Sequence, residues 1–397
     1  MVESKERMIY SLLLNSRLKM SWKVSLPSVI PCMFSFYLCV CSYATEWHVD
    51  PYVGHEGFQT IQFDENSQIK LNQHCWVNDG EQFAWIHFTP GDIELRVMEL
   101  STKTVMKLSL AEEIIVIDGH HEDTKVLCVL DRENPTVIEA YEKDGILMQR
   151  HLEGFRESPI AVKYSSNGEK VAYTASCKRH GSEGGVRVYN IRTGHDYAIA
   201  TSDIFNQNPV WLRDDSGLIY EKTYEYKSFF GLRTNMTQAI MLALAPWDSV
   251  TDVKIAETNL HSVFYCPYDK GDSIVYIVFP GDSRDSAQLW EYNRRADSRK
   301  KLLSLNSLFG VGWKASSFCF SETGNIIAFG ISSKDREKAG LWRMDIAKKK
   351  VERIVMGNSV KSINISPCGH SVTFIYGKKF ILLTSKIGTA VTRGSHL

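Results

Sequence analysis

The stretch INISPCGHSVTFIYG (residues 363–377) places two apolar runs on either side of a short turn that contains Pro and Gly. The same arrangement recurs in AVKYSSNGEKVAYTAS (161–176) and in SFCFSETGNIIAFGIS (317–332). Short runs rich in Val, Ile, Tyr and Phe, interrupted by Gly, Asn and Asp, are typical of antiparallel strands. Each stretch therefore predicts two strands joined by a tight turn.

Related hairpins fill most of the chain and indicate an internal repeat. Three more are QHCWVNDGEQFAWIHF (73–88), PVWLRDDSGLIYEKT (209–223) and VFYCPYDKGDSIVYIVF (263–279), and a degenerate one is IIVIDGHHEDTKVLCVL (114–130). Their turns recur about every 50 residues, which predicts seven units over residues 72–392. The turn glycines are Gly80, Gly168, Gly217, Gly271, Gly324 and Gly369.

Each hairpin is followed by a third strand, a polar turn and a fourth strand, as in VRVYNIRTGHDYAIA (186–200). Four strands per repeat of this length are typical of a β-propeller blade, which packs both faces against its neighbours. The sequence thus predicts an all-β fold, a seven-bladed β-propeller of four-stranded antiparallel sheets, with six blades as the alternative. The residues expected in the innermost strands are Ile115, Val162, Trp211, Phe264, Phe318 and Ile363.

The two ends of the chain bear on how the ring closes. The last repeat has only a weak fourth strand, SKIGTAVTR (385–393), whereas GFQTIQF (57–63) is a strand-like segment left over before the first hairpin. An open final blade would expose a sheet edge, which proteins avoid. We expect the N-terminal strand to complete the last blade; the alternative is a lead-in strand that caps the first blade.

Residues 1–44 are predicted to lie outside the fold. Positive charge at Arg17, Lys19 and Lys23 precedes the apolar stretch VSLPSVIPCMFSFYLCVCSYA (24–44), which ends in small residues. This pattern predicts an export signal and a periplasmic or secreted protein. The alternative is a membrane anchor formed by residues 24–44, because about 20 apolar residues can span a bilayer. Residues 45–397 are then a single propeller domain.

Charge and cysteine usage restrict the partners and ligands. The chain has 46 Lys+Arg and 46 Asp+Glu, a balance that argues against nucleic-acid binding. Membrane contact is expected only through the N-terminal segment. The cysteines beyond residue 44 are widely separated and lack zinc-ligand spacing, so they are interpreted as buried core residues. They are Cys75, Cys128, Cys177, Cys266, Cys319 and Cys368.

The repeats resemble the TolB-type, PD40 or WD40-like, family of β-propellers, whose blades carry a Ser-Pro-Asp-Gly turn. The best matches to this turn are Ser-Pro-Cys-Gly (366–369) and Ser-Ser-Asn-Gly (165–168), and Ile-Arg-Thr-Gly (191–194) matches the Thr-Gly turn that follows a later strand of the family's repeat. The resemblance covers residues 72–392, but Cys368 replaces the turn Asp and no Trp-Asp ends a third strand. It implies a propeller fold and leaves the function open, because propellers host many activities.

A search for catalytic motifs finds no GxSxG, HExxH, P-loop or GxGxxG sequence, so no cofactor and no metal are predicted. His120, His121, Glu122 and Asp123 are adjacent in a turn. Adjacent side chains point apart, which favours a solvated turn over a metal site. Pectin-fragment lyases are also seven-bladed propellers with a histidine-held metal in the channel, but their His-rich motifs do not map onto this sequence.

The loops between the second and third strands share one rim of a propeller, and loops on a rigid scaffold are frequent binding sites. Here they are longest at residues 176–185, 224–237, 279–287 and 332–340, and the second is rich in aromatic residues and cations, which are enriched at interfaces. The alternative is a loop packed over its own aromatic cluster. The candidate binding residues are Tyr224, Tyr226, Lys227, Phe229, Phe230, Arg233, Arg179, His180, Arg284 and Arg336.

These observations predict an exported propeller that acts as a binding or scaffold module in the cell envelope. Its partner would be a protein or a saccharide bound at this rim. The lack of a catalytic motif favours a non-enzymatic module. The alternative is a propeller carbohydrate lyase or hydrolase with an active site at the channel mouth.

Overall fold

The computed structural model describes residues 48–50, 58–62, 73–89, 91–110, 112–130, 136–175, 185–201, 206–227, 233–258, 264–268, 271–280, 285–358, 360–377 and 379–385. The export signal or anchor predicted in residues 1–44 lies outside these ranges and stays a prediction. Among the described residues, no helix combines the length and the apolar character needed to span a membrane.

Two N-terminal strands, β1 (His48–Asp50) and β2 (Phe58–Gln62), precede seven repeats of four strands. Blade 1 contains β3 (His74–Val77), β4 (Gln82–Thr89), β5 (Asp92–Glu99) and β6 (Val105–Leu110). Blade 2 contains β7 (Ile114–Gly119), β8 (Lys125–Leu130), β9 (Thr136–Lys143) and β10 (Ile146–Leu152). Blade 3 contains β11 (Pro159–Tyr164), β12 (Lys170–Ala175), β13 (Gly185–Asn190) and β14 (Asp196–Thr201). Blade 4 contains β15 (Asn206–Trp211), β16 (Gly217–Lys227), β17 (Arg233–Leu244) and β18 (Thr251–Thr258).

The remaining repeats follow the same order. Blade 5 contains β19 (Phe264–Tyr268), β20 (Ser273–Val278), β21 (Gln288–Asn293) and β22 (Ser298–Ser304), and a short helix α1 (Leu305–Phe309) follows it. Blade 6 contains β23 (Trp313–Phe320), β24 (Ile326–Ser333), β25 (Gly340–Asp345) and β26 (Lys350–Met356). Blade 7 contains β27 (Val360–Ile365), β28 (Ser371–Tyr376) and β29 (Lys379–Ser385).

Seven antiparallel sheets therefore surround an axis, which confirms the seven-bladed β-propeller and excludes six blades. In each blade the first strand is an edge strand of its sheet, and the first strands of neighbouring blades pack against one another. These first strands line the centre of the ring. The six residues predicted for the innermost strands all lie in them.

The N-terminal strand closes the ring as expected. β2 pairs antiparallel with β29, from Phe58 opposite Ser385 to Gln62 opposite Ile381, and is the fourth strand of blade 7. A second attachment was not predicted: β1 pairs parallel with β26 and adds a fifth strand to the outer edge of blade 6. Both pairings cover a strand edge that would otherwise offer free backbone groups.

The core lies between the faces of neighbouring blades. Between blades 5 and 6, the rings of Phe318 and Phe329 stack with centroids 5.4 Å apart, and Trp342 packs on Phe309. Aromatic pairs of this kind add specific geometry to the burial of apolar area. Cys75, Cys128 and Cys266 are buried, as the sequence indicated.

Two cysteines bear further on that interpretation. Cys319 is partly buried, whereas Cys368 lies exposed in the first turn of blade 7, so the interpretation as core residues is wrong there. All five described cysteines are free thiols. Cys177 falls outside the described residues.

Six of the seven turns between first and second strands contain a backbone conformation that L-residues rarely adopt; the turn of blade 2 does not. Gly168 has a φ of +67°, and a Cβ at this position would lie 2.8 Å from Nε2 of His120. Only glycine fits both conditions. In blade 4, however, Asp215 takes the left-handed conformation with a φ of 55°, and the predicted turn residue Gly217 instead begins β16.

Candidate functional site

The loops between second and third strands and the connections between blades lie at one face of the ring, here called the 2–3 rim, and the described members of the predicted binding set lie on or beside it. Tyr224, Tyr226 and Lys227 are in β16, and Arg233 is in β17. Arg336 is exposed in the loop of blade 6. Arg179, His180, Phe229, Phe230 and Arg284 lie outside the described residues.

The hairpin of β16 and β17 extends beyond its own sheet. The two strands pair from Gly217 opposite Leu244 to Lys227 opposite Arg233. Among the described residues, β15 pairs with β16 only as far as Lys222, and β18 pairs with β17 only as far as Gln238. Residues 223–227 and 233–237 therefore form a two-stranded projection, the blade 4 ribbon, which is about 17 Å long at 3.3–3.4 Å per residue.

In blade 6, a buried arginine beneath the 2–3 rim holds the loop that carries Arg336. Arg353 is 1% exposed, and its Nη1 donates to the backbone oxygens of Arg336, at 2.9 Å, and Glu337, at 2.5 Å. Its Nη2 lies 3.1 Å from Oε2 of Glu337. These contacts fix the backbone of the loop and leave the side chain of Arg336 exposed.

A central cavity of about 490 Å³ lies among the first strands and the turns that follow them. Because these turns lie at the opposite end of each strand from the 2–3 rim, the cavity reaches the opposite face, here called the channel mouth. Four charged residues of its lining, and one histidine from the blade 2 turn, were not predicted as site residues. They are Asp118, His121, Lys163, Arg213 and Glu322.

An ion pair lies inside the cavity. The Nζ of Lys163 donates to Oδ1 of Asp118, and the backbone N–H of Tyr164 donates to Oδ2 at 3.0 Å. Lys163 is deep within the ring, yet 53% of its side chain is exposed to the cavity. Burial opposes its charge, but the Asp118 carboxylate outweighs this effect and raises the pKa of Lys163. The cavity therefore holds a permanent, accessible cation at neutral pH.

Hydrogen bonds to the surrounding blades fix the strand that carries Lys163. Trp211 donates its Nε1–H to the backbone oxygen of Lys163 at 3.0 Å. The hydroxyl of Tyr164 donates to Glu139 at 2.9 Å, and Arg150 donates to the same carboxylate at 2.6 Å. Burial, together with the Glu139 carboxylate, holds the pKa of Tyr164 well above its ordinary value, so the phenol stays a donor.

Three side chains from different blades meet at the channel mouth. Nε2 of His121, in blade 2, lies 3.8 Å from Oε1 of Glu322, in blade 6. Burial raises the pKa of Glu322, and the charges of His121 and Arg213 partly oppose that rise. Arg213, in blade 4, is exposed and makes no ion pair with any other residue that the structure describes. This arrangement offers an acid–base pair beside a free guanidinium.

The turn of blade 2 differs from the solvated turn expected for it. Glu122 and Asp123 are exposed, but His120 is 2% exposed and packs against Gly168 of blade 3. Its Nδ1 accepts a hydrogen bond of 3.2 Å from the backbone N–H of Asp123. The expectation is therefore wrong for His120, which joins two blades.

The sequence did carry a signal for the cavity residues. Asp118 and Lys163 are charged residues within the otherwise apolar first strands of two hairpins, IIVIDG and AVKY. A charged side chain at an inner strand position either pairs or lines a channel. Arg213, His121 and Glu322 carried no such signal, because charged residues are ordinary in turns.

Solved structures of other proteins have the same fold. The oligogalacturonate lyase of Vibrio parahaemolyticus is 12% identical, with a TM-score of 0.58 over 82% of this chain and 96% of that chain. An oligogalacturonate lyase in complex with manganese is also 12% identical, with a TM-score of 0.58 over 83% of this chain and 96% of that chain. A chain of the mitotic checkpoint complex is 12% identical, with a TM-score of 0.52 over 94% of this chain and 99% of that chain. At such identities the similarity shows the fold alone.

The finer resemblance to TolB-type repeats stays a prediction. TolB from Acinetobacter baumannii is 14% identical, with a TM-score of 0.44 over 76% of this chain and 79% of that chain, which is too low to support an argument. No protein-family model matches the sequence, and no curated protein matches it.

The manganese in one of the lyases prompts a test of the residues in this chain. Within the described ranges, no group of three or more His, Cys, Asp and Glu side chains is placed to hold a metal ion. The carboxylate inside the cavity, Asp118, is already bound by Lys163.

Proposed function

We propose that this protein is an exported, non-enzymatic binding or scaffold module of the cell envelope that binds a protein partner at its 2–3 rim. The blade 4 ribbon is the observation that carries the proposal. In the described part of the chain this hairpin continues beyond the pairing of both neighbouring strands, so it offers a paired backbone ribbon beyond its own sheet. Tyr, Lys and Arg, which the ribbon contains, are suited to such a contact.

The rim of blade 6 supports a protein partner with an acidic surface. Val311 is 83% exposed between two glycines, and its backbone oxygen accepts a hydrogen bond of 3.1 Å from Lys338. Lys334 and Arg336 are exposed in the adjoining loop and form no ion pair with other described residues. The exposed Val311 beside the unpaired Lys334 and Arg336 is complementary to a partner surface on which carboxylates flank an apolar side chain.

The cellular location in this proposal rests on the sequence of residues 24–44 alone. Cleavage of that stretch gives a periplasmic or secreted module; retention gives the same module anchored to the membrane. N-terminal sequencing of the protein from its native cells tests this part. A mature chain that begins near Thr45 supports export with cleavage, and retention of residues 24–44 in the membrane fraction supports the anchor. Cytosolic protein with an intact N-terminus contradicts both.

The experiment on the rim combines a shortened hairpin with site-specific crosslinking. Replacing residues 224–237 by Asn-Gly joins Thr223 to Gln238, which are cross-strand partners, through a two-residue turn that suits a hairpin. A photo-crosslinker at Tyr226 should give a partner adduct in native cells, whereas one at Arg192, exposed on the opposite face, should not.

In the shortened protein, the photo-crosslinker is placed at Lys334, a rim site outside the hairpin, and the partner adduct should be lost. The thermal midpoint should stay within about 2 °C of the wild-type value, because the ring and the sheet are intact. Equal adducts from Tyr226 and Arg192, or full retention of the partner by the shortened protein, would contradict the proposal. A large drop in midpoint would show that the ribbon packs on the ring instead.

A second candidate is a carbohydrate lyase or hydrolase that acts at the channel mouth. The pair of Glu322 and His121 favours it, since a carboxyl with a raised pKa beside an imidazole suits general acid–base catalysis. This candidate would be supported if the wild-type protein cleaves polysaccharides and releases new oligosaccharide ends. The Glu322→Gln variant should then lose this activity while its thermal midpoint stays unchanged. Equal activity in Glu322→Gln would eliminate it for this pair.

A further inference from the structure

We propose that the central cavity is a second, separate binding site, which takes a small organic anion with a flat apolar body, the anionic group being a carboxylate or a phosphate. This inference goes beyond the proposed function. The cavity lies at the channel mouth, whereas the proposed partner contact lies on the 2–3 rim, on the opposite face.

The first observation is the accessible cation inside the cavity. The ammonium of Lys163 has three N–H donors, and a described side chain, Asp118, accepts from one of them. With 53% of the side chain exposed, the remaining donors are open to a ligand. Because the Asp118 carboxylate already positions the ammonium, its side chain loses less entropy when a ligand binds.

The second observation is an unpaired guanidinium, that of Arg213, at the channel mouth. It follows two residues after Trp211, which lines the cavity, and it is exposed at the channel mouth without an ion-pair partner in the described part of the chain. A guanidinium presents parallel N–H groups that match the two oxygens of a carboxylate or phosphate. Lys163 and Arg213 belong to neighbouring blades, so both cations border the same space.

The carboxylate inside the cavity is already engaged, and burial raises the pKa of the Glu322 carboxyl at the mouth. Asp118 accepts from Lys163 and from the backbone of Tyr164. Glu322 faces His121 at 3.8 Å, and the positive charges of His121 and Arg213 both act on it. Lys163 and Arg213 therefore keep open cationic donors, and an anion rather than a cation complements them.

The walls indicate the body of the ligand. Phe264 and Phe318 contribute rings whose centroids are 5.3 Å apart, and Trp211 contributes an indole. Asn208 and Asn364 add neutral amides to the lining. A volume of about 490 Å³ falls in the range of small-molecule sites, and a lining of aromatic rings with a few polar groups is typical of them.

The test is calorimetric titration of the full chain with three matched probes: benzoate, phenyl phosphate and benzamide. The three share a ring and differ in charge or in the anionic group. We expect at least one anion to bind about tenfold or more tightly than benzamide, and the stronger anion identifies the group that the site takes. In Arg213→Gln the affinity for that anion should fall about tenfold, the effect of one charged hydrogen-bonding contact, while benzamide binding is unchanged.

Two controls separate this site from other effects. Arg295→Gln removes an arginine that is exposed on the same face and pairs with Asp272 outside the cavity lining, so it should leave anion binding unchanged. The protein with the shortened blade 4 hairpin should also bind the anion normally. Failure of the rim proposal can therefore be distinguished from failure of the cavity proposal. Equal affinity for benzamide and the anions, an unchanged affinity in Arg213→Gln, or no binding at millimolar probe would overturn the inference.

Discussion

Replacing Asp196 by Ala removes a buried carboxylate that pairs with a buried arginine of blade 3. The Nε of Arg187 lies 3.0 Å from Oδ1 of Asp196, and the two side chains are 1% and 2% exposed. The same carboxylate accepts from the hydroxyl of Tyr173 at 2.5 Å and from the backbone N–H of Arg156 at 2.9 Å. Burial, with the Asp196 charge, raises the pKa of Tyr173, so its hydroxyl stays a donor at neutral pH.

The expected loss follows from the burial of both partners. Removing one member of a buried ion pair lowers the free energy of unfolding by about 3–5 kcal/mol, because the remaining charge is desolvated without compensation. The two orphaned donors, Tyr173 and Arg156, place Asp196→Ala towards the upper end of that range. Urea unfolding, followed by far-UV circular dichroism and by tryptophan fluorescence, measures the change.

A double variant provides the control. Arg187→Leu/Asp196→Leu removes both charges together and should be at least about 2 kcal/mol more stable than Asp196→Ala, because no unpaired charge remains buried. The reasoning would be refuted by a loss below about 1 kcal/mol in Asp196→Ala, or by a double variant that is less stable than the single one. Because each blade is stabilised by its neighbours, both probes should report a single transition.

Three further predictions concern the pH dependence, the rim and the closure of the ring. Burial raises the pKa of Glu221, which is 3% exposed, so the native state binds the proton more tightly than the unfolded state. The free energy of unfolding should therefore fall as pH rises from the ordinary glutamate pKa through the raised one. Glu221→Gln should flatten this pH dependence in urea titrations, and an unchanged pH dependence would contradict the assignment to Glu221. Arg353→Met removes charged hydrogen bonds to the blade 6 loop, each worth about 1.5–3 kcal/mol. Hydrogen exchange of the Lys338 and Ala339 amides should therefore accelerate at least tenfold, whereas the control Lys314→Met, at an exposed position, should leave it unchanged. Equal exchange rates in both variants would argue against the role of Arg353. Deleting residues 45–62 removes β1 and the five paired residues of β2. At about 0.5–1.5 kcal/mol for each hydrogen bond, the free energy of unfolding should drop by about 3 kcal/mol or more, and light scattering should show increased aggregation. Full stability of the shortened chain would disprove ring closure by β2.

The two faces of the ring have different characters. The 2–3 rim carries an extended hairpin and exposed cations, features suited to a large partner. The channel mouth leads to a cavity lined by aromatic rings and a fixed ion pair, features suited to a small ligand. Because the faces lie at opposite ends of every strand, each can be altered without touching the other.

The sequence by itself determined the fold and its closure. Hairpins such as residues 161–176 and 317–332 repeat a local pattern, and a local pattern is enough when every unit folds alike and contacts only its neighbours. Even the assignment of residues 57–63 to the last blade followed from a general rule, that sheet edges are covered. The candidate rim also came from sequence, since loop length is a local property.

The tertiary structure alone decided which residues share a site. Asp118 and Lys163 are 45 residues apart, and His121 and Glu322 come from blades 2 and 6. No local pattern encodes such distances, because they depend on how many blades close the ring and on where each first strand ends. The same applies to β1 on blade 6 and to the extra length of the blade 4 ribbon, which becomes visible only against the strands beside it. Closing the ring brings distant turns to one mouth, and that closure is a property of the whole chain.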